Sequence, residues 1–276
     1  MRTRTRGGAT TATYAFLTLA SMIAALPIVG VLFVALDEPN AIVSGISLPK
    51  HVSFANLERV WTQGNFGSGL LWSLLISLAT VALATLLSVP AGYAFATIRF
   101  PGRAALFYLL VFGLILPYAS VLIPAYYELR RFQLAGTVWA VVLPTAALSV
   151  AFGTFWMRAA FLGIPKDLLE AARVDGARSV YIFAGIALPL VRSAVMALVL
   201  LTFMSSWNGF LVPIVMLAGS DIQTATMSLA SFQGGHVDDI TGLAASAVFV
   251  SAPVIGVFLL TQRQFIRGMT EGGLKM

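Results

Sequence analysis

GIPKDLLEAARVDGARSVYIFAGIALP, residues 163–189, is the one charge-rich island set between hydrophobic runs. Lys166, Asp167, Glu170, Arg173, Asp175 and Arg178 cannot rest in hydrocarbon, where each charge costs about 2.5–3.5 kcal/mol on insertion scales. The island therefore lies in water, while the chain on either side reads as membrane. Its residues spell two short helices with a bend. Pro165 suits the first turn of a helix, where its missing N–H costs nothing. Leu168, Leu169, Ala171, Ala172 and Val174 supply an apolar side, and Glu170 and Arg173, three residues apart, share one surface. Asp175–Gly176 is a turn signal, because glycine reaches positive φ without a steric penalty. A second helix runs from about Arg178 into the next span, with Pro189 near its entrance. An island of this kind is either a solvated connector or a docking element.

Composition fixes the broader class. The 276 residues are 59% hydrophobic and 10% charged, with a mean hydropathy of +0.91. A soluble domain carries roughly 25% charged residues, so the chain is an integral membrane protein. Its net charge of +6 does not point to nucleic acid, because the basic residues punctuate the apolar runs instead of clustering. There are no cysteines, which excludes a disulfide framework, a thiolate metal site and a cysteine nucleophile. His51 and His236 stand far apart without a ligand pattern, and no metal centre is expected.

Runs free of Asp, Glu, Lys and Arg predict an all-α membrane protein with six transmembrane helices, near 14–36, 70–98, 104–126, 134–158, 183–212 and 243–264. The whole chain, 1–276, reads as one transmembrane domain with a water-exposed segment at 163–182. The first run is too long for a signal peptide and no small-residue cleavage site follows it. With both termini in the cytoplasm, thirteen Lys and Arg fall inside and four outside: Lys50, Arg59, Arg130 and Arg131. That bias sets the expected orientation, although Arg130 and Arg131 run against it.

Phe54, Leu57 and Trp61 share a helical face and predict an interfacial helix on the outer leaflet. Residues 217–242, polar, acidic and glycine-containing, are either a plain connector or a binding loop. Within the spans, Trp207 and Asn208 have two readings. One is packing, with the amide bonding across helices. The other is contact with a sugar, the ring stacking on a pyranose and the amide bonding a hydroxyl. Tyr93, Tyr118, Tyr126 and Tyr127 are candidates of the same kind. Pro90, Pro117, Pro144 and Pro213 are expected to kink helices, and Ala91, Gly92, Ala94 and Ala96 to permit a close helix approach.

The order Glu170-Ala171-Ala172, Gly176, Ile186, Leu188, Pro189 resembles the EAA signature of permease subunits of bacterial ABC importers. IPKDLLEAARVDGA, SSWNGFLVPIVML at 205–217 and the C-terminal QRQFIRGMTEGGLKM resemble the carbohydrate branch, especially the second permease of maltose-type systems. One departure is Gly209, where many relatives have an acidic residue after the Trp-Asn pair. The resemblance implies a type I ABC importer permease fold with a cytoplasmic coupling helix in a bacterial plasma (inner) membrane. It also implies a heterodimer with a second permease, two ATPase subunits that hold ATP and Mg, and an extracytoplasmic solute-binding protein. This chain would bind no cofactor and catalyse nothing. Glu170, Ala171, Ala172, Arg173, Asp175 and Gly176 would couple to the ATPase. Gly272, Gly273, Leu274, Lys275 and Met276 would reach its interface. Ser231, Phe232, Gln233, Gly234, Gly235 and His236 would meet the binding protein, and Trp207, Asn208, Tyr93 and Tyr118 would line the solute path.

Two other classes fit less well. An ion-coupled transporter places an ionisable residue at membrane depth, and the six runs hold none. A membrane enzyme needs a catalytic constellation, and none is visible. The solute is expected to be sugar-like; a glycerol-phosphate, a polyamine or another non-sugar solute is the alternative.

Overall fold

The structure, a computed structural model, describes residues 6–39, 41, 49, 51–233 and 239–273, with side chains described within 13–262. All regular structure among the described residues is helical. The order is α1 (Arg6–Ala35), α2 (Ala55–Gln63), α3 (Phe66–Thr97), α4 (Arg103–Phe112), α5 (Tyr118–Arg131), α6 (Val138–Leu162), α7 (Lys166–Val174) and α8 (Ser179–Tyr181). A π-helical turn (Ile182–Ala187) follows, then α9 (Leu188–Leu190), α10 (Arg192–Trp207), α11 (Leu211–Met216), α12 (Ala225–Ala230) and α13 (Ile240–Gly273). Stretches of four of these are long and apolar enough to cross a membrane: Thr13–Ala35, Phe66–Thr97, Val138–Leu162 and Ile240–Gln262. Ser179–Leu190 and Arg192–Trp207 make a fifth crossing if the two arms, bent by 76°, count as one.

Two expectations about the spans change. The third, 104–126, is not one helix. Gly113 and Pro117 interrupt it, so that α4 and α5 flank a five-residue break. Pro117 caps α5 in an extended conformation, and a residue before proline avoids the helical region, so Leu116 cannot continue α4. The fifth, 183–212, is likewise divided. Val191 leaves helical geometry, with φ −104° and ψ 17°, two residues after Pro189. Proline removes an intrahelical donor and crowds the preceding turn, which is π-helical here over Ile182–Ala187. Pro90 and Pro144 end nothing, since α3 and α6 run through them.

The chain divides into two compact units, Met1–Gly67 with Ser228–Ala252, and Ser68–Met227 with Pro253–Met276. In the first, Asn56 is fully buried and its amide donates to the Asp37 carbonyl at 2.8 Å, tying α2 to the end of α1. Phe249 of α13 packs against Trp61 and Phe66, with ring centroids 5.3 and 5.5 Å apart. α2 buries Asn56 and Val60, so Phe54 and Trp61 are turned outward.

In the second unit, α3 and α6 approach at two glycines. A Cβ on Gly92 would lie 2.6 Å from Met157 Cβ and 2.9 Å from the Arg158 backbone N. One on Gly153 would lie 2.6 Å from Ser88 Oγ. Of the small residues 91–96, Gly92 thus sits where the backbones meet. Trp156 Nε1 donates to the Ala194 carbonyl at 3.0 Å, binding α6 to α10.

Candidate functional site

The water-seeking island folds into an arm mounted on the ends of the apolar helices. Pro165 caps α7 with φ −55° and ψ 127°. The helix ends in a Schellman motif: Ala177 N–H donates to the Ala172 carbonyl at 3.0 Å, and Gly176 N–H to the Arg173 carbonyl at 3.1 Å. That closure needs a left-handed residue, and Gly176 supplies it at φ +81°. Leu169 is the buried side chain of α7; with Ile164, Ile182 and Ala187 it joins a cluster that includes Tyr93, Met157 and Phe161. The apolar side is narrower than the residue types imply. Ala172 is half-buried, whereas Leu168, Ala171 and Val174 are exposed, Val174 to 88%. They cannot follow Leu169 inward because they point to other faces of the helix. Glu170, Arg173, Asp175 and Gly176 are exposed. No ion pair joins Glu170 to Arg173 among the described residues, although they are three apart.

Tyr93 belongs to the arm's mounting. It is 8% exposed, and its ring lies 5.3 Å from Phe161 and 5.0 Å from Phe183. Trp207 also packs: it is 2% exposed and stacks on Phe203 at 5.6 Å. Asn208 is exposed, but its amide donates to the Met204 carbonyl at 2.9 Å, closing the last turn of α10. Polarity and aromaticity alone could not separate these packing roles from solute contact.

Tyr118 stands differently. Half-buried at the start of α5, it lines three clefts of about 370, 360 and 270 Å³, and its hydroxyl lies beside Thr145. The first cleft is almost wholly apolar, bounded by Leu122, Leu143 and Leu148. The other two gather hydroxyls that sequence reading passed over: Ser149 and Ser205 line both, with Thr202 in one and Thr145 and Ser206 in the other. Ser206 is nine-tenths buried with no hydrogen-bond partner for its Oγ. The signal was present as Thr145 and Ser149, one helical turn apart, and as the Ser205-Ser206 pair directly before Trp207. The Gly209 carbonyl accepts from Thr226 Oγ1 at 2.9 Å, so a backbone group beside the Trp-Asn pair is occupied.

Ser231, Phe232 and Gln233 continue from α12 in tight turns, their N–H groups donating to Ser228, Leu229 and Ala230. Gly234, Gly235 and His236 lie outside the described residues, as do Leu274, Lys275 and Met276; Gly272 and Gly273 end α13. No group of metal-ligating side chains occurs among the described residues.

The geometry has counterparts. A family model, "Binding-protein-dependent transport system inner membrane component", matches residues 88–271, which include the arm and the hydroxyl-lined clefts. The chain is 30% identical to the diacetylchitobiose uptake system permease protein NgcG of Streptomyces coelicolor, over 94% of this chain and 87% of that protein. It is 34% identical to the arabinooligosaccharides transport system permease protein AraQ of Halalkalibacterium halodurans, over 84% of each. A chain of a bacterial ABC transporter that imports alginate shares the fold, with a TM-score of 0.78 at 20% identity, covering 96% of this chain and 99% of that one. The chain therefore belongs to the binding-protein-dependent transport system inner membrane components, the permeases of ABC importers.

Proposed function

We propose that this chain forms half of the translocation pathway of an ATP-driven importer for an uncharged, sugar-like solute. The observation that carries the reading is the arm: a charged, exposed surface from Glu170 to Gly176 rigidly mounted on the apolar helices through Leu169 and Ile182. Movement of that surface by a partner is transmitted to α3, α6 and α10 without a flexible joint. The partner would be a separate ATPase subunit holding ATP and Mg, received around Ala171, Ala172, Arg173 and Asp175, with Gly272 to Met276 reaching the same subunit. A second permease would supply the other half of the path, and a solute-binding protein outside would deliver to it. The thirteen-to-four distribution of Lys and Arg supports cytoplasmic termini and six crossings, with α4 and α5 together making the third.

The solute class rests on the clefts at Tyr118. Thr145, Ser149, Thr202, Ser205 and Ser206 offer hydroxyls but no charge, a lining suited to a neutral polyhydroxylated molecule. NgcG and AraQ carry oligosaccharides by name. Asn208 and Tyr118 are the solute-facing candidates that remain exposed or half-exposed. The test is uptake into vesicles containing both permeases and the ATPase, with binding protein outside. Uptake should require internal ATP and survive collapse of proton and sodium gradients. Accumulation driven by a gradient alone would overturn the reading. A cytoplasm-only reporter fused after Arg178 should be active, and one fused after Ser231 silent.

A further inference from the structure

At the end of α6 that leads into the arm, Arg158 does not reach freely into water. Its guanidinium lies over the Phe107 ring of α4, with Cζ 4.3 Å from the ring centroid, and that ring is buried. A cation held on an aromatic face is attracted by the ring quadrupole and so kept in place. The backbone is fixed as well, because a Cβ on Gly92 of α3 would lie 2.9 Å from the Arg158 N. The aromatic platform is broad. Phe95 of α3 meets Phe100 and Phe107 at 5.7 and 5.6 Å, and Phe155 of α6 stacks on Phe107 at 6.4 Å.

Two more guanidiniums belong to this end of the helices. Arg103 opens α4 one turn before Phe107, and its Nη1 donates to the Ile98 carbonyl at 3.2 Å. Arg99 is exposed in the connection between α3 and α4. None of the three has a carboxylate partner among the described residues. The neighbouring sequence offers none: from Phe66 to Leu162, Glu128 is the one acidic residue, and it pairs with Arg131. The first turn of α4 has no acid, so Arg103 stands uncompensated at the positive end of a helix dipole. Like charges gathered beside a low-dielectric surface favour an anion among them.

The surroundings select the anion. Leu106 and Leu109, three apart on α4, are exposed, and so is Phe155, one turn before Arg158 on α6. The guanidiniums therefore border an oily strip that runs along both helices away from their charged ends. A soluble phosphate would use the charges and leave the strip bare, whereas a phospholipid covers both.

We propose that Arg103 and Arg158 form a binding site for the phosphate of an anionic phospholipid whose acyl chains lie along Leu106, Leu109 and Phe155. The guanidinium fork matches two phosphate oxygens. The Phe107 platform orients Arg158 before the lipid arrives, which lowers the ordering cost of binding. A lipid seated there spans α4 and α6 beside Met157 and Phe161, which belong to the arm's mounting. The site rests on the chain's membrane location and not on its solute or its ATPase.

The chain has no cysteine, so Phe112→Cys carries a single fluorophore at the far end of the strip, and Leu71→Cys one at the opposite end of α3. Both positions are exposed. The full chain, with any subunits that co-purify, is placed in phosphatidylcholine bilayers holding a minor share of phosphatidylglycerol, with quenching bromines on the acyl chains of one lipid or the other. Quenching at Phe112→Cys should report phosphatidylglycerol enriched about fivefold over its bulk share, and quenching at Leu71→Cys no enrichment. Arg103→Gln and Arg158→Gln should each lower the enrichment at least about twofold, and together bring it to the bulk value. Phe107→Leu, which keeps every charge and removes the platform, should lower it too. Arg99→Gln, which removes the same charge from an unheld side chain, should lower it least. Inorganic phosphate in the buffer should displace no lipid. The unsubstituted arginines decide the question even where a variant fails to insert: bulk-level phosphatidylglycerol beside Phe112→Cys, or equal enrichment beside Leu71→Cys, overturns the proposal. So does enrichment that survives loss of both guanidiniums, or displacement by inorganic phosphate, which would mark a site for a soluble anion. Failure of the importer reading would leave all of these measurements unchanged.

Discussion

Glu170, Arg173 and Asp175 on the arm stand exposed and form no ion pair among the described residues, while Arg59 and Asp239 close on each other at 2.8 Å. Both clusters have charges of each sign within reach. They differ in what lies underneath. The arm is anchored by apolar side chains, Leu169 and Ile182, and its charges are left exposed. In the α2–α13 clasp the charges themselves close the contact, beside the packing of Phe249 on Trp61 and Phe66. Charge at a surface thus reads as open to a partner where it is left unpaired, and as internal fastening where two elements are joined through it.

The mounting of the arm is the first place to break that contrast. Gly92→Leu puts a side chain where Met157 Cβ and the Arg158 backbone N already stand. Overpacking costs about 1–3 kcal/mol where neighbours can yield; backbone yields less, so the subunit should disappear from membranes on immunoblot. Gly176 separates mounting from recruitment. A Cβ there meets nothing within 4 Å, so the only local penalty is the left-handed φ, about 1–2 kcal/mol for an ordinary residue. Gly176→Leu should insert normally and lose stimulated ATP hydrolysis by about tenfold or more if docking fails by some 1.4 kcal/mol. Gly176→Asn tolerates that φ and should retain more activity than Gly176→Leu. Equal loss in the two would mean that the partner requires a bare backbone and not merely the turn.

The clasp is sharpened by pH. Burial alone would raise the Asp239 carboxyl, but hydrogen bonds from Arg59 and Gly242, the Arg59 charge and the Thr241 hydroxyl together hold it below its ordinary value of 3.8. A lowered folded-state pKa means that the clasp's contribution is complete above the unfolded value and fades as pH falls through the folded one. Alkylation of a cysteine placed at Thr241 should therefore stay slow from neutral pH to about 4. The Asp239→Asn background should make it fast and pH-insensitive over that range, after correction for the thiol's own titration. Smallest of all is Arg131→Ala. Its pair with Glu128 at 3.1 Å is exposed on both sides, and removal should change thermal stability by less than about 0.5 kcal/mol.

The arm was readable because each of its devices is local. Pro165 before a helix, Asp175-Gly176 after it and a run of charge between spans depend on neighbours in the chain. The Phe54–Leu57–Trp61 stripe was equally local, and α2 forms there. What stayed hidden was anything settled by tertiary company. Leu168 and Val174 match Leu169 in type, and only the fold decides which of them is covered. Tyr93 and Trp207 had the same sequence credentials as Tyr118, yet the first two became packing and the third lines clefts. The Arg59–Asp239 pair spans 180 positions, a separation that no window along the sequence can join. Hydropathy also counted 104–126 as a single span, because Leu114, Ile115 and Leu116 are as apolar as their neighbours and hide the interruption.

That interruption carries a consequence of its own. Between α4 and α5, the carbonyls of Leu114, Ile115 and Leu116 accept no hydrogen bond from the described residues. Bare carbonyls at membrane depth cost several kcal/mol each in lipid. Some of the most oily side chains in the chain are therefore attached to the backbone least able to face oil. If α4 and α5 together make a crossing, as proposed, its interrupted side faces water or a partner's donors, and solvation of three oxygens, not side-chain hydropathy, fixes its rotation.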